Sequence, residues 1–293
     1  MAKVFTIDML KKDEPMLKET FSLETKSVEK ETSETDAEII ERMRSRFQIL
    51  DDMTRAVKGG HVRAMIVSGP PGVGKSFGVE AVLSKHDVFA DVANDNKLKK
   101  YEIVKGAMSA IGLYKKLYEY ADKKSIVVFD DCDSILLDDV SLNILKAALD
   151  SSKKRTISWN TDSRSLRQEG VPQSFTFNGG CIFITNIKFE NVRSKKLRDH
   201  LEALESRCHY LDLTIDTERE KMLRIQQIVK DGMLNEYEFQ DFEKDAIVNF
   251  IDVNKKRMRE LSLRMVLKVA DLKKSMPNSW QQVAEVTCMR SKR

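Results

Sequence analysis

The spacing of hydrophobic positions divides the chain into a strand-bearing part and a helical part. After a Thr35-x-x-Glu38 capping box, Ile39, Met43, Phe47, Leu50 and Val57 recur at helical spacing until Gly59-Gly60 ends the pattern. Three short runs then lack polar interruption: residues 63–68 (Arg63-Ala64-Met65-Ile66-Val67-Ser68), 125–129 and 181–185. Such runs predict strands buried on both faces of a parallel sheet. Residues 101–104 predict a fourth strand, and helices are read over 77–83, in a loop-to-helix stretch over 106–120, and over 142–149. Residues 156–159 and 174–177 look like the arms of a hairpin. From about residue 213 the strands stop. Thr217-x-x-Glu220 caps a helix bearing Met222, Ile225 and Ile228, followed by helices around Ile247, Phe250 and Ile251, around Leu263, Val266 and Leu272, and around Trp280 and Val283.

Strands alternating with helices imply right-handed crossovers and a sheet covered on both faces. The fold class is therefore α/β, with a parallel-sheet core followed by a small helical domain. The expected division is an N-terminal arm over 1–34, a core over 35–212 with a hairpin insert at 156–177, and a helical part with a basic tail over 213–293. The arm is rich in Lys, Glu, Ser and Thr without sustained period, which predicts poor order or dependence on a partner. No internal repeat is visible.

Composition narrows the class. Charged residues make up 33% and hydrophobic ones 41% of 293 residues, as in a helix-rich globular protein. No apolar run approaches the roughly 18 residues of a membrane span, and no signal-peptide core opens the chain, so a cytoplasmic protein is expected. Cys132, Cys181, Cys208 and Cys288 are scattered, without the spacing of a metal site, and read as reduced packing residues. The net charge is only +4, but residues 253–293 carry 11 Lys/Arg against 3 Asp/Glu, while residues 1–35 carry 6 against 8. A polyanion-facing surface and a solvated helix face both fit that asymmetry.

The chemistry concentrates after the first strand, at Gly69-Pro70-Pro71-Gly72-Val73-Gly74-Lys75-Ser76, followed by Phe77 at the start of a helix. Strand, glycine-rich turn and helix in that order make G-x-x-x-x-G-K-[ST] a phosphate loop. Its amides and helix end point at a phosphate chain, Lys75 reaches the terminal oxygens, and the Ser76 hydroxyl ligates Mg2+. Asp130 and Asp131 end a strand taken to be adjacent, where ligands of open α/β sheets bind. Asp130 is the candidate Mg2+ carboxylate, and Asp131 is placed to orient or deprotonate water.

With these motifs the chain resembles the AAA+ superfamily of ATPases over roughly residues 36–275. The resemblance implies ATP and Mg2+ as cofactors. It implies a sensor role for Asn186, which ends the strand over 181–185, and a second sensor role for Arg264 on a lid helix. Leu204-Glu205-Ser206-Arg207-Cys208 is similar to the Ser-Arg-Cys box of clamp loaders, where the arginine reaches a neighbouring subunit's nucleotide. Arg198 is the nearest rival of Arg207. One departure stands out: the family usually has Glu where this chain has Asp131, which points to slow hydrolysis or a switch.

By position, Met108 lies in the segment corresponding to the family's pore loop, though without that loop's signature. Arg164 and Arg167 lie on the turn of the insert, where one branch of the family projects a hairpin into the channel. The resemblance further implies a homo-oligomeric ring of hexamer type. It leaves open an ATPase that loads or remodels on nucleic acid with DNA or replication proteins as partners, a protein remodeller, and an ATP-gated assembly protein with little turnover. The compact build is similar to small stand-alone members encoded by phages.

Overall fold

The structure, a computed structural model, describes residues 34–86 and 100–291. Apart from Glu34, the arm expected over 1–34 lies outside the described residues, as do the last two residues of the basic tail. Thr35–Arg293 forms one compact unit.

Helix α1 (Asp36–Lys58) opens it. The Thr35 hydroxyl accepts from the Glu38 amide while the Glu38 carboxylate accepts from the Thr35 amide at 2.7 Å. There follow β1 (Ala64–Ser68), α2 (Lys75–Leu83), β2 (Tyr101–Lys105), α3 (Ala110–Glu119), β3 (Ile126–Asp130), α4 (Asp133–Leu136) and α5 (Asp139–Ala148). Next come β4 (Thr156–Ser158), α6 (Arg164–Gln168), β5 (Ser174–Thr176), β6 (Gly180–Thr185), α7 (Lys195–Glu205) and β7 (His209–Asp212). The lid consists of α8 (Glu218–Ile228), α9 (Asp241–Val253), α10 (Leu263–Ser275) and α11 (Trp280–Cys288).

Five strands form one sheet in the order β2-β3-β6-β1-β7, each pair parallel. β1, β3 and β6 are buried at every position, which is why their sequences carry no polar alternation. Ile66, Val127, Phe129 and Phe183 pack on one face against Leu113 and Leu117 of α3, Leu142 of α5 and Leu201 of α7. Met65, Val67, Val128, Ile182 and Ile184 pack on the other against Leu50 of α1 and Val79 and Leu83 of α2. Ile225, Ile247, Ile251, Val266 and Trp280 gather into a separate lid core. Val73 of the glycine-rich loop joins Ile39 and Met43 of α1 to Leu223 of α8, so loop, first helix and lid share one apolar seam.

The structure departs from the sequence pattern in three places. The strand bearing Asp130 is not adjacent to β1; β6 pairs with both and lies between them. Second, α7 and β7 have no counterpart among the expected elements. β7 is a four-residue edge strand, exposed at both ends, and shows no apolar run. Third, the insert is not a bare hairpin. β4 and β5 do pair antiparallel, but Arg164 and Arg167 sit on α6, not on a turn. Leu166 of that helix is buried, and Tyr114 of α3 meets the rings of Trp159 and Phe175 at 5.6 and 5.1 Å. Apolar groups in both arms and in the connection need a surface to cover them, so the insert folds down on α3.

Candidate functional site

The site forms where β1, β6 and β3 end. Gly72 and Gly74 hold φ of 72° and 104°, a left-handed backbone that side chains rarely adopt. A Cβ at Gly72 would also stand 2.7 Å from that of Ser262, because the lid closes on the loop there. The first amide of α10, on Leu263, donates to the Gly72 carbonyl at 2.9 Å. Loop and lid are thereby bonded across some 190 positions of sequence.

Lys75 begins α2 and is 6% exposed. Its ammonium donates to the carbonyls of Gly69 (2.6 Å) and Pro70 (2.9 Å) and to Asn186 Oδ1 (2.8 Å). Asn186 in turn donates through Nδ2 to Asp131 Oδ1 at 2.9 Å. One amide thus ties the cation of the loop to the second acid of the β3 edge. Burial pushes the Lys75 ammonium below the usual lysine range, with Asp131 and Asp130 opposing that shift. Burial, reinforced by Asp130, holds the Asp131 carboxyl above the usual carboxylate range, with Lys75 opposing. Asp131 itself adopts φ 53°, and its amide donates to Ile184 of β6 at 3.0 Å.

Ser76 donates to Asp130 Oδ1 at 2.8 Å, so a hydroxyl of the loop and the acid two strands away meet directly. Among the described residues no three His, Cys, Asp or Glu side chains cluster as a metal cage. A hydroxyl beside one buried carboxylate, open towards a phosphate loop, suits a hard cation that takes its other ligands from phosphate and water, as Mg2+ does. The left-handed glycines leave a cradle without side chains, and the donor set is that of a phosphate site. The residues present therefore fit both a nucleotide and its metal.

Other candidate residues are placed as follows. Pro70 is half-buried, Pro71 is exposed in the turn that leads to Gly72, and Phe77 is 79% exposed one residue past Ser76. Arg264 follows the Leu263 amide that bonds the loop, is exposed, and its charge is felt at both Lys75 and Asp131. Arg207 lies elsewhere. It precedes β7, whose His209 pairs with Met65, so it stands at the amino edge of the sheet. Its guanidinium donates to the Ala203 carbonyl. Arg198 is half-buried on α7. Arg164 is exposed, and Arg167 pairs with Asp162 at 3.1 Å. Met108 is not a free gripping residue: its side chain packs against the core, and its amide and carbonyl both bond Ser134. Burial raises the Cys132 thiol to about 11 and the Cys208 thiol to about 12, and drives Cys181 higher still.

Three residues take places that the sequence reading did not assign, Lys105 among them although its segment was a candidate substrate contact. Lys105 ends β2 in register with Asp130, and its ammonium lies 3.7 Å from Asp130 Oδ2. Asp133 accepts from the Thr185 hydroxyl at 2.7 Å, bracing the acidic turn against β6. Arg224 of α8 is buried with its guanidinium 3.6 Å from the Phe47 ring centre, and burial lowers it to about 10. Phe47 and Arg224 line a cavity of about 600 Å3 between α1 and α8, and both reach within 4 Å of where a Gly74 side chain would begin. The residue after the strand over 101–104 could have flagged Lys105; nothing in the sequence marks Arg224 as buried.

A family model, the ATPase family associated with various cellular activities (AAA), matches residues 65–203. An uncharacterized 36.7 kDa protein in the nrdC-mobD intergenic region of Enterobacteria phage T4 is 34% identical over 257 residues, covering 87% of this chain and 77% of that protein. Among solved structures, the ADP form of the Aeropyrum pernix ORC2 protein aligns over 84% of this chain and 68% of its own, with 15% identity and a TM-score of 0.44. Drosophila ORC bound to DNA aligns over 94% and 67%, with 11% identity and a TM-score of 0.36. No helix among the described residues is long and apolar enough to cross a membrane. The phosphate loop, the acid-ended strand two positions along the sheet and the lid bonded to the loop agree with the family match, and this chain belongs to the AAA+ family of ATPases, to which nucleotide binding is common.

Proposed function

We propose that this protein hydrolyses ATP as an assembly of copies and uses the cycle to load or remodel a partner on nucleic acid. One observation carries the hydrolytic part: Asn186 joins Lys75 and Asp131 in a single hydrogen-bonded chain beside the Ser76–Asp130 pair. When bound, Mg·ATP supplies the terminal phosphoryl group and the metal charge that neutralises its oxygens. The chain's residues do the rest. Lys75 would exchange the Gly69 and Pro70 carbonyls for phosphate oxygens, and Ser76 and Asp130 would hold the metal. Asp131 takes the proton of the attacking water, while Asn186 keeps that carboxylate oriented. Phe47 and Arg224, which line the cavity beside the loop, would take the base end of the nucleotide, and Arg264 would bring a cation from the lid.

Action between copies is supported by Arg207, which is exposed at the edge opposite its own phosphate loop. A polyanionic substrate is supported by the charge excess over residues 253–293 and by the exposed Arg164.

The test measures ATP turnover with and without DNA, alongside the mass of the protein in ATP. Lys75→Ala is expected to weaken ATP binding by about a hundredfold or more, since the charge-assisted contacts of its ammonium to the terminal phosphate oxygens are lost. Arg207→Ala is expected to slow turnover by about 10^3-fold while sparing binding, and mixing it with Lys75→Ala protein to restore part of the rate. Unchanged affinity in Lys75→Ala would remove the hydrolytic reading. Stimulation by an unfolded protein and not by DNA would replace nucleic acid with polypeptide. Assembly in ATP without phosphate release would make the protein a nucleotide-gated scaffold.

A further inference from the structure

At the amino edge of the sheet, two guanidiniums face one cleft. Arg63 immediately precedes β1 and Arg207 precedes β7, and these two strands are neighbours paired from Met65 and His209 onward. The cleft has a volume of about 340 Å3 and is lined by Arg63, Leu149, Asp150, Ser151, Ser206 and Arg207. Arg63 donates to the Asp150 carbonyl, and Arg207 to the Ala203 carbonyl and, at 3.5 Å, to Ser206 Oγ. Neither guanidinium reaches a carboxylate among the described residues. A guanidinium carries five donors, so carbonyl partners orient each fork while leaving donors free and the charge unneutralised. The Ser206 hydroxyl is engaged, donating to the Ala203 carbonyl at 2.9 Å, so the two forks together with the Ser151 hydroxyl form the recognition set for a phosphate.

The chain's own phosphate loop cannot supply that phosphate. Arg63 and Gly69 sit at opposite ends of β1, roughly 20 Å apart at the rise of a strand. The cleft is also short. A nucleic-acid backbone is tracked by a row of cations along a groove, whereas here two cations share one small cleft with Asp150 in its lining. One compact phosphate, delivered by another molecule, matches this shape and charge.

Beyond the role already proposed for Arg207, we propose that Arg63 is a second cation lent between copies, meeting beside Arg207 the terminal phosphate of a nucleotide held in the phosphate loop of a second copy of this chain. The inference rests on the proposed ATPase reading and adds to it a second cation drawn from outside the Ser-Arg-Cys segment. It also gives Ser151 and Asp150 a place at the junction of copies.

The test uses the full-length chain with Arg63→Ala and Arg63→Lys. Arg63→Ala is expected to lower turnover at saturating ATP by about 10- to 100-fold. Arg63→Lys restores only part of that, because an ammonium cannot fork. By sedimentation, the protein concentration needed for ATP-dependent assembly rises about tenfold in Arg63→Ala. The ATP affinity of the dilute, unassembled protein stays as in the parent. Mixing Arg63→Ala with Lys75→Ala restores turnover, since the second protein lends its Arg63 to an intact loop.

Parent-like assembly and turnover in Arg63→Ala would overturn the inference, as would loss without restoration on mixing. Restoration for Arg207→Ala but not for Arg63→Ala would discard Arg63 and leave the ATPase reading standing. Loss of duplex-DNA binding by Arg63→Ala, with assembly unaffected, would reassign the cleft to nucleic acid. A protein that stays monomeric in ATP would discard the cleft's proposed occupant altogether.

Discussion

The two edges of the central sheet hold their charges differently. At the carboxyl edge, Lys75, Asn186 and Asp131 are bonded in series, Ser76 is bonded to Asp130, and the cation at the centre is buried. At the amino edge, Arg63 and Arg207 are exposed and donate to carbonyls and a hydroxyl. A buried network fixes its geometry before any ligand arrives, and each member depends on the others. Exposed forks on backbone carbonyls cost little to leave unsatisfied, because water serves them. On the proposed reading the carboxyl edge is the part of the site built within one copy, and the amino edge is the part lent to another.

The sharpest way to break this contrast is at Asp131. Asp131→Asn keeps an oxygen to accept from Asn186 but cannot take a proton, so turnover is expected to fall by about 10^2- to 10^4-fold with ATP still bound. Filter binding and phosphate release measure the two effects separately. Mixing this variant with Lys75→Ala should restore nothing, because both lesions fall in the same edge of their own copies. Lesions at opposite edges, Arg207→Ala with Lys75→Ala, should complement. Complementation in the first mixture would mean that the carboxyl edge is itself shared between copies.

How far this contrast was legible in the sequence follows from where each signal lives. The phosphate loop is local: glycines, lysine and serine within eight residues carry it, and β1, β3 and β6 announce themselves because burial on both faces removes polar alternation. β7 gave no such signal, since an edge strand half open to water can include His209 and Asp212. The helix α7 does place Leu197, Leu201 and Leu204 at helical spacing, yet its charged face dominates the stretch. Strand order is not written locally at all. That β6 separates β1 from β3, that Lys105 lies in register with Asp130, and that Ser262 abuts Gly72 are all facts about residues distant in sequence. The insert misled because its apolar residues alternate like hairpin arms while also needing α3 to cover them.

A smaller effect tests how rigid the carboxyl edge is. Gly72 and Gly60 have nearly the same φ, 72° and 74°, but a Cβ at Gly60 meets nothing within 4 Å, whereas at Gly72 it would stand 2.7 Å from Ser262. Gly60→Ala should cost about 1 kcal/mol, the strain of a left-handed backbone alone. Gly72→Ala should cost about 1–3 kcal/mol more, because either the loop or the lid must retreat. Urea midpoints measure both. Equal losses would mean that the lid moves away freely, and that the loop–lid bond is not part of the prebuilt site.

Lys105 gives the smallest expected effect, and it tests the contrast from within. It is an exposed cation of the carboxyl edge, 61% accessible, set against an Asp130 side chain that is only 6% accessible. An ion pair with one partner in water is worth about 0–1 kcal/mol. If Asp130 holds Mg2+, the ammonium competes for the same carboxylate. Lys105→Met should then lower the Mg2+ concentration for half-maximal turnover by about two- to fivefold, and added salt should shrink the difference by screening the exposed partner. A rise in that concentration would mean the opposite: that Lys105 steers Asp130 towards the metal, and that the carboxyl edge leans on an exposed side chain much as the amino edge does.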